Sequence, residues 1–212
     1  MADLSEWIRK RRRDQFYRRA KANGYRSRAS YKLLQLHRRY FIFRRGDRVL
    51  DIGSAPGGWS QAARQLVGRQ GLVVGVDLQE TPELGFDNVV FLRGDIMEEA
   101  TERAIASVSR QFDVIVSDAS PTISGVWTRD HLLSADLARR ALSLCRSLLK
   151  EGGGLVVKVF QGEELDGLQR DAKASFGSVK RAKPEASRGE SSEIFLVCKG
   201  YRGPRSEKAD GP

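Results

Sequence analysis

One stretch of the sequence decides the predicted fold, and it reads Val49-Leu50-Asp51-Ile52-Gly53-Ser54-Ala55-Pro56-Gly57-Gly58-Trp59-Ser60. An apolar run of strand composition ends in a turn of small residues, and a helix is expected to start at Pro56. In α/β sheets, ligands bind beside the turns that follow the carboxyl ends of the strands. Glycines let a ligand approach the backbone of such a turn, and the helix N-terminus offers unpaired N–H groups to an anion. The stretch therefore predicts a ligand-binding turn, although an ordinary turn with structural glycines would share this composition.

The glycine spacing argues against the usual dinucleotide fingerprint. The pattern G-x-G-x-x-G would need a glycine where Ala55 stands, at the closest approach to a pyrophosphate. Asp77 ends the next apolar strand, where an acidic residue can accept hydrogen bonds from a ribose diol. These features favour an adenosine-type ligand that lacks a pyrophosphate. S-adenosylmethionine fits, because it combines a nucleoside ribose with an amino-acid carboxylate.

Apolar and amphipathic segments alternate along the rest of the chain. Strands are predicted at 48–52, 72–78, 88–92, 112–118, 155–160, 178–183 and 193–199. Helices are predicted at 3–22, 26–36, 56–68 and 98–109, and a longer helix is capped by Asp130 and ended by Gly152-Gly153-Gly154. This alternation predicts an α/β fold, with a mostly parallel sheet and helices on both faces.

The composition excludes several classes of protein. The chain has 212 residues, enough for one domain with a full core, and no apolar run long enough for a transmembrane helix. Its basic N-terminus lacks the apolar segment of a secretory signal. Cys145 and Cys198 lie in apolar runs and are expected to be reduced core residues, while His37 and His131 leave little for a metal site. We expect a cytoplasmic protein without a metal or a membrane segment.

Positive charge is concentrated near the start of the chain. Residues 1–48 hold sixteen lysines and arginines against four acidic residues, within a total net charge of +10. Such a basic arm is typical of polyanion binding, although a solvated helical surface can have the same composition. The arginines of residues 9–28 are expected to make mostly phosphate contacts. RNA is the favoured partner, because unpaired bases can stack on the aromatic residues of this segment. These are Trp7, Phe16, Tyr17, Tyr25 and Tyr31.

Lys158 lies within an apolar run that has the composition of a buried strand, residues 154–160. Because lysine is almost never fully buried without a partner, we expect one. Asp118 ends the neighbouring predicted strand, at the edge that carries the glycine turn. The two residues are a candidate catalytic pair, because burying such a pair adds little stability; a structural salt bridge is the alternative. Lys158 could accept a proton from a hydroxyl or stabilise a developing alkoxide, and the sequence leaves both roles open.

Several motifs occur together and in order between Tyr25 and Tyr201. They are Arg26-Ser27-Arg28-Ala29-Ser30-Tyr31-Lys32-Leu33, the turn from Asp51 to Gln61, Ser117-Asp118-Ala119-Ser120-Pro121, Val156-Val157-Lys158-Val159-Phe160-Gln161-Gly162, Lys183-Pro184, Ser187-Arg188 and Ser192-Glu193. On these motifs the chain resembles the FtsJ/RrmJ (RlmE) family of S-adenosylmethionine-dependent ribose 2′-O-methyltransferases. The resemblance implies a Rossmann-like methyltransferase fold with a mostly parallel, seven-stranded sheet. In the family fold, the last strand is antiparallel and lies between two others.

The resemblance also implies site residues. The family's K-D-K-E tetrad falls on Lys32, Asp118, Lys158 and Glu193. In that scheme Lys158 activates the target 2′-hydroxyl and Asp118 orients Lys158 and borders the methyl donor, while Lys32 and Glu193 position the lysine and the ribose. The contacts with S-adenosylmethionine carry over to Gly53, Pro56, Gly57, Gly58, Trp59, Asp77, Asp95 and Asp118.

The implied organisation has three parts. They are a basic RNA-binding extension over residues 1–28, a methyltransferase domain over 29–201 and a disordered tail over 202–212. The implied substrate is large-subunit (23S) ribosomal RNA with a uridine as the target, modified by a monomer, and the arginine-rich arm favours an archaeal source. The same chemistry on tRNA or on an mRNA cap is the enzymatic alternative. A non-catalytic RNA-binding ribosome assembly factor and a nicotinamide-dependent oxidoreductase are the other readings.

Overall fold

The computed structural model describes residues 14–203, which form one seven-stranded sheet and six helices. The helices are α1 (Gln15–Ala22), α2 (Ser30–Tyr40), α3 (Gly58–Val67), α4 (Glu99–Val108), α5 (Trp127–Leu148) and α6 (Glu164–Ser175). The strands are β1 (Arg48–Ile52), β2 (Leu72–Asp77), β3 (Val89–Arg93), β4 (Phe112–Ser117), β5 (Leu149–Phe160), β6 (Phe176–Ala182) and β7 (Glu193–Tyr201). Trp7, the first part of the predicted helix 3–22 and most of the predicted tail lie outside the described residues.

The strands follow the order β3-β2-β1-β4-β5-β7-β6 across the sheet. Strands β1 to β5 pair in parallel, whereas β7 is antiparallel to both of its neighbours, β5 and β6. The predicted mostly parallel sheet is confirmed, and so is the antiparallel last strand between two others. The carboxyl ends of β1 to β5 therefore meet the amino end of β7 at one edge of the sheet. We call it the carboxyl edge.

Helices cover both faces of the sheet, as predicted. Successive side chains of a strand point to opposite faces. Leu50 packs in a core cluster with residues of α4, α5 and α6, whereas its neighbour Val49 packs in a second cluster with residues of α2 and α3. Cys145 and Cys198 are buried and free, which confirms the prediction of reduced core cysteines.

The predicted end of the long helix at the glycine run is wrong. α5 ends at Leu148 and β5 begins with the next residue, so that Gly152-Gly153-Gly154 lie inside the strand. Phe112 of β4 pairs with Leu149 of β5, and the next pair is Val114 with Gly154. Between these two pairs β5 has three more residues than β4, and the extra residues form a bulge. A Cβ atom on Gly153 would lie 2.9 Å from the carbonyl oxygen of Asp113 in this bulge. Gly153 therefore allows the close approach of the two strands, and the glycine run does not mark a loop.

The predicted cap of α5 is also wrong. The helix begins at Trp127, so Asp130 lies in its first turn. The carboxylate of Asp130 accepts hydrogen bonds from Ser124 and Gly125 in the preceding loop, and it therefore organises that loop. α6 has no counterpart among the predicted elements, because its apolar positions are few and are separated by polar residues. Its buried residues are Leu165, Leu168 and Ala172.

Candidate active site

A cleft of about 620 Å³ lies at the carboxyl edge. Four residues that were predicted to contact the cofactor line this cleft: Gly53, Asp77, Asp95 and Asp118. Asp77 is the last residue of β2, and the other three follow β1, β3 and β4 in that order. Gly53 has a φ of +77°, in the left-handed region that residues with side chains rarely adopt. The parallel order of the four strands therefore brings these positions together around one cavity.

The acidic residues of the cleft are held by main-chain donors. Asp77 accepts a hydrogen bond at Oδ2 from the N–H of Ala55 at 3.0 Å, and another at Oδ1 from the N–H of Gln79 at 2.9 Å. Asp95 accepts one at Oδ1 from the N–H of Met97 at 2.9 Å. A carboxylate oxygen can accept more than one hydrogen bond, so these groups can still accept from the hydroxyl or amino groups of a ligand.

The other four predicted cofactor residues do not line the cleft with their side chains; they are Pro56, Gly57, Gly58 and Trp59. The Trp59 ring is buried and donates from Nε1 to the carbonyl oxygen of Ala29 at 2.8 Å. A Cβ atom on Gly58 would collide with the hydroxyl of Ser27. This segment instead offers the N-terminus of α3, which no side chain among residues 14–203 caps. Free N–H groups of a first turn suit a carboxylate, so a backbone contact with the cofactor stays a prediction.

The four residues of the predicted tetrad meet at the carboxyl edge. Lys158 donates a hydrogen bond to the main-chain carbonyl oxygen of Asp118 at 2.6 Å, and its Nζ forms an ion pair with Oδ1 of the same residue at 3.1 Å. Lys32 of α2 donates to Oε2 of Glu193 at 2.8 Å and lies 3.5 Å from Oδ1 of Asp118. The exposed fraction of each of the four side chains is 14% or less. The structure thus joins the tetrad into one buried network, and Asp118 connects this network to the cleft.

The charge of Glu193 is stabilised by its neighbours. Burial disfavours the charged carboxylate, but Lys32, through its charge and its hydrogen bond, and the charge of Lys158 outweigh this effect. Together they hold the pKa of Glu193 below its ordinary value. Glu193 is therefore ionised at neutral pH and keeps Lys32 in place.

Asp51 is a second buried carboxylate beside the site. Its Oδ2 accepts a hydrogen bond from the hydroxyl of Ser60 at 2.5 Å, and its Oδ1 has no hydrogen-bond partner among the described residues. Burial raises the pKa of Asp51 to about 7; the hydrogen bond from Ser60 opposes the shift, and the charges of Asp118 and Asp77 reinforce it. The sequence analysis assigns Asp51 no role, although a carboxylate inside an apolar strand was a signal. This group changes its protonation state near neutral pH.

Arg26 joins the turn after β1 to the loop after β2. Its guanidinium donates to the carbonyl oxygen of Pro56 at 3.2 Å and to the carbonyl oxygens of Pro82 and Glu83. Its main-chain N–H donates to Oε1 of Gln61 in α3 at 3.0 Å. Both connected segments adjoin residues that line the cleft, so Arg26 positions the walls of the site. Sequence reasoning did not find this role, because main-chain carbonyls carry no residue-specific signal.

Two of the five aromatic residues that were expected to stack on RNA are part of the core. Phe16 and Tyr31 are buried in a small cluster with Ala186, and Tyr25 packs edge-on against Tyr31. Because core contacts cover their rings, the predicted stacking of bases on Phe16 and Tyr31 is wrong. This cluster also attaches α1 to the rest of the domain. Residues 14–28 of the predicted extension therefore pack against the domain.

Some arginines of the predicted arm are likewise engaged inside the protein. The Arg28 guanidinium binds the carboxylate of Asp14 and the carbonyl oxygen of Ala186, and Arg26 has the contacts described above. Arg18 and Arg19 are exposed on α1 and remain candidates for phosphate contacts. Residues 9–13 lie outside the described part of the chain.

The described residues contain neither a metal-ligand cluster nor a membrane-spanning helix. Among residues 14–203, no three His, Cys, Asp or Glu side chains are grouped as the ligands of a metal ion would be. Over the same range, no helix combines the length and the apolar character that crossing a membrane requires.

The parallel sheet, the cleft beside its glycine turn and the buried tetrad at its edge define an α/β methyltransferase domain. The chain belongs to the FtsJ-like methyltransferase family, whose model matches residues 25–201. The resemblance that the motifs indicate is thus confirmed.

Two archaeal relatives illustrate the similarity, and both are named ribosomal RNA large subunit methyltransferase E. The protein of Archaeoglobus fulgidus is 49% identical over 193 residues, which are 91% of this chain and 98% of the relative. That of Methanocaldococcus jannaschii is 43% identical over 208 residues, which are 96% of this chain and 85% of the relative.

Solved structures agree with this assignment. The crystal structure of a putative ribosomal RNA methyltransferase from Plasmodium falciparum superposes with a TM-score of 0.75 at 29% identity, covering 85% of this chain and all of that one. A putative rRNA methylase from Clostridium thermocellum, at 19% identity and a TM-score of 0.56, shares the fold.

Proposed function

We propose that this methyltransferase uses S-adenosylmethionine to methylate a ribose 2′-oxygen of large-subunit ribosomal RNA, at a uridine. The observation that carries the proposal is the buried amine of Lys158, which is held by Asp118 at the border of the cleft. An oriented lysine beside a cofactor cleft suits the activation of a hydroxyl group. The names of the archaeal relatives support ribosomal RNA as the substrate class.

The residues of the cleft fit S-adenosylmethionine, which supplies an activated methyl group when bound. Asp77 and Asp95 offer carboxylate oxygens to the ribose and to the adenine, and the free N-terminus of α3 suits the amino-acid carboxylate. Met97 and Leu133, 51% and 39% exposed, give the cleft apolar walls for an adenine ring.

Lys158 and Asp118 together would activate the target hydroxyl. An ammonium group has three N–H donors. The hydrogen bond to the Asp118 carbonyl and the ion pair with its carboxylate hold Nζ at the border of the cleft, where a donor remains for a substrate oxygen. At that position Lys158 can stabilise a developing alkoxide as a cation, or accept the hydroxyl proton when neutral. Lys32 of α2 lies 3.5 Å from the Asp118 carboxylate and is itself held by Glu193 of β7. Fixed geometry of this kind supplies much of the rate in a methyl transfer.

Exposed basic residues offer a surface for the RNA backbone. Arg38, Arg39 and Lys183 line a groove of about 390 Å³ between α2 and the loop after β6. With Arg18 and Arg19 of α1 they would contact phosphates, so RNA affinity should fall steeply between about 50 and 200 mM salt. Fluorescence anisotropy with a labelled ribosomal RNA fragment measures this dependence. An affinity that is insensitive to salt would contradict phosphate contacts as the main source of binding.

The proposed function can be tested with methyl-labelled S-adenosylmethionine and three acceptors: large ribosomal subunits, naked ribosomal RNA and tRNA. Wild type is compared with Lys158→Ala and with Lys150→Ala, a matched control on the same strand whose lysine pairs with Asp113 at 2.7 Å. We expect label in 2′-O-methyluridine of large-subunit RNA. Lys158→Ala should lower the rate by about 100-fold or more, whereas Lys150→Ala should leave it unchanged.

Other outcomes would redirect the assignment. Label on tRNA would keep the chemistry and change the substrate class. If no acceptor is labelled although S-adenosylmethionine binds, the protein would be an RNA-binding assembly factor on a methyltransferase fold, and the proposed enzymatic function would be rejected.

A further inference from the structure

Large apolar side chains are exposed in the segment that joins β4 to α5. Ile123, Val126 and Trp127 are 61%, 59% and 54% exposed. None of the three belongs to the described residues that line the methyl-donor cleft, although residues 118–122 of the same segment do. These three exposed side chains are here called the Trp127 patch, and the site described above provides no role for them.

The backbone beneath the Trp127 patch is held by a buried carboxylate. Asp130 is 4% exposed and accepts hydrogen bonds from the N–H of Ser124 at 2.9 Å, from its hydroxyl at 2.7 Å and from the N–H of Gly125 at 3.2 Å. Hydrogen bonds to a charged acceptor are the stronger kind. The loop therefore presents its apolar side chains from an ordered backbone.

The Trp127 ring has one supported face. It lies parallel to the His131 ring, with an interplanar angle of 10° and centroids 6.2 Å apart. His131 is 6% exposed; its Nε2 accepts a hydrogen bond from the N–H of Glu164 at 3.3 Å, and it packs closely against Gly162. His131 is thus fixed between Trp127 and the start of α6. Trp127 is nevertheless 54% exposed, so much of its side chain remains accessible.

Trp127 and the methyl-donor cleft lie on different sides of helix α5. Arg129 and Leu133 line the methyl-donor cleft. Trp127 and His131 lie two residues away from them in sequence, about 200° around the helix, and therefore on the opposite side. That side faces Gly162, just beyond the end of β5, the strand that carries Lys158.

The end of β5 is connected to the tetrad through β7. The N–H of Gln161 donates to the carbonyl oxygen of Ser192 at 2.9 Å, and Ser192 precedes Glu193. Trp127 therefore lies near the end of the strand that carries Lys158, on the side of α5 that faces away from the methyl-donor cleft.

We propose that the exposed face of Trp127 is a stacking site for an unpaired base of the RNA substrate, near the target ribose; this inference rests on the proposed function. Unpaired bases bind to aromatic faces, and tryptophan offers a large one. Ile123 and Val126, which are exposed in the same segment, extend the apolar surface. A protein partner fits less well, because stable protein interfaces use about 20–30 residues a side and this patch has three.

The test compares Trp127→Ala, Trp127→Phe and the control Leu132→Ala, an exposed leucine on the same helix that does not line the described cleft. RNA dissociation constants are measured by anisotropy, and those of S-adenosylmethionine by calorimetry. Trp127→Ala should weaken RNA binding by about 5- to 150-fold. Trp127→Phe should restore most of the affinity, Leu132→Ala should leave it unchanged, and cofactor affinity should stay the same in all three.

A set of RNAs, each with one abasic site at a different position around the target, distinguishes base stacking on Trp127 from a merely structural role of this residue. At one position the loss of the base should weaken binding to wild type, and Trp127→Ala should then cause no further loss. An equal effect of Trp127→Ala on every abasic RNA, or none on intact RNA, would overturn the proposal. A change in oligomeric state without a change in RNA affinity would assign the patch to a protein interface and also overturn it. Because binding is measured without methyl transfer, failure of the proposed enzymatic function would be seen separately.

Discussion

A methyl group added to Gly53 would lie 2.6 Å from the Cα atom of Ala119. The turn after β1 and the segment after β4 therefore touch backbone to backbone at the base of the cleft. Both residues line it, so this contact sets the distance between the glycine turn and Asp118. No side chain can be accommodated at position 53 unless one of the two segments moves.

The Gly53–Ala119 contact predicts that Gly53→Ala disrupts the cleft. Gly46 is a matched control, because its φ of +87° is equally left-handed but a Cβ there would meet nothing within 4 Å. Gly46→Ala should cost about 1–2 kcal/mol of stability from backbone strain alone. Gly53→Ala should cost more in urea unfolding, and calorimetry should detect no cofactor binding. Equal stability losses with intact cofactor binding would show that the contact relaxes freely.

Lys32→Met should destabilise the protein by about 3 to 5 kcal/mol at neutral pH, because it leaves the buried Glu193 carboxylate without its main partner. In wild type the pKa of Glu193 is lowered, so its contribution to stability is present at neutral pH and is lost as the pH falls through that pKa. Without Lys32, burial raises the pKa. Urea unfolding should therefore show a smaller difference between variant and wild type at acid pH than at neutral pH.

A second substitution checks the cause of the Lys32→Met effect. Glu193→Gln in the Lys32→Met background removes the unpaired charge, and we expect it to restore most of the lost stability at pH 7. If the double variant is no more stable than Lys32→Met, the loss reflects packing around Lys32 and not the buried carboxylate.

Asp51→Asn should change how stability depends on pH. The pKa of Asp51 is about 7 in the folded protein and near 3.8 in the unfolded chain, so between these values the folded state holds a proton that the unfolded state has lost. We therefore compare the free energy of unfolding of wild type with that of Asp51→Asn. As the pH rises through this window, the wild-type value should fall relative to the variant by about 4 kcal/mol in total, and above the window the difference should be constant.

Ser60→Ala provides a check on the Asp51 prediction. The hydrogen bond from Ser60 lowers the pKa of Asp51, so its removal should extend the pH-dependent window upward. Unfolding at a series of pH values measures both variants. A constant difference between wild type and Asp51→Asn from pH 4 to 8 would show that Asp51 titrates normally.

Arg26→Ala should weaken cofactor binding by about tenfold with little change in kcat. The substitution removes the hydrogen bonds to the carbonyl oxygens of Pro56, Pro82 and Glu83, which hold the walls of the cleft together. Arg45→Ala is the control, since Arg45 donates to the single carbonyl of Gln65, a residue that does not line the described cleft. Calorimetry with S-adenosylmethionine and anisotropy with RNA separate the two roles considered for Arg26. A loss of RNA affinity with normal cofactor affinity would favour the phosphate contact that the basic arm suggested.

The parts of the fold that follow from local pattern were predictable. Strands β1 to β4 are short apolar runs that end at turns, and the bounds predicted for them differ from the structure by at most one residue. Gly152-Gly153-Gly154 reads as a loop by propensity, but pairing with β4 makes it a strand bulge. That pairing is a tertiary effect, and no local pattern contains it. The place of β7 between β5 and β6 was foreseen only through the family resemblance, because strand pairing over a long sequence separation has no local signature.

The residues of the site were likewise predictable only in part. The pair Lys158 and Asp118 follows from two apolar strands with charged residues at the same edge. Lys32 and Glu193 come from a helix before the first strand and from the last strand, so only the resemblance joined them to the pair. The carbonyl contacts of Arg26 and the support of Trp127 by His131 arise where loops pack together. No spacing in the sequence encodes those contacts.

The antiparallel strand β7 has a consequence for the order in which the protein is made. Glu193 begins the last described strand, which must enter between β5 and β6 after both have been synthesised. A nascent chain that has emerged only as far as β6 contains Lys32, Asp118 and Lys158 but lacks the carboxylate that holds Lys32 and the strand that closes the sheet. The proposed catalytic tetrad is therefore incomplete until translation has reached residue 193, and the sheet is incomplete until translation has passed residue 201.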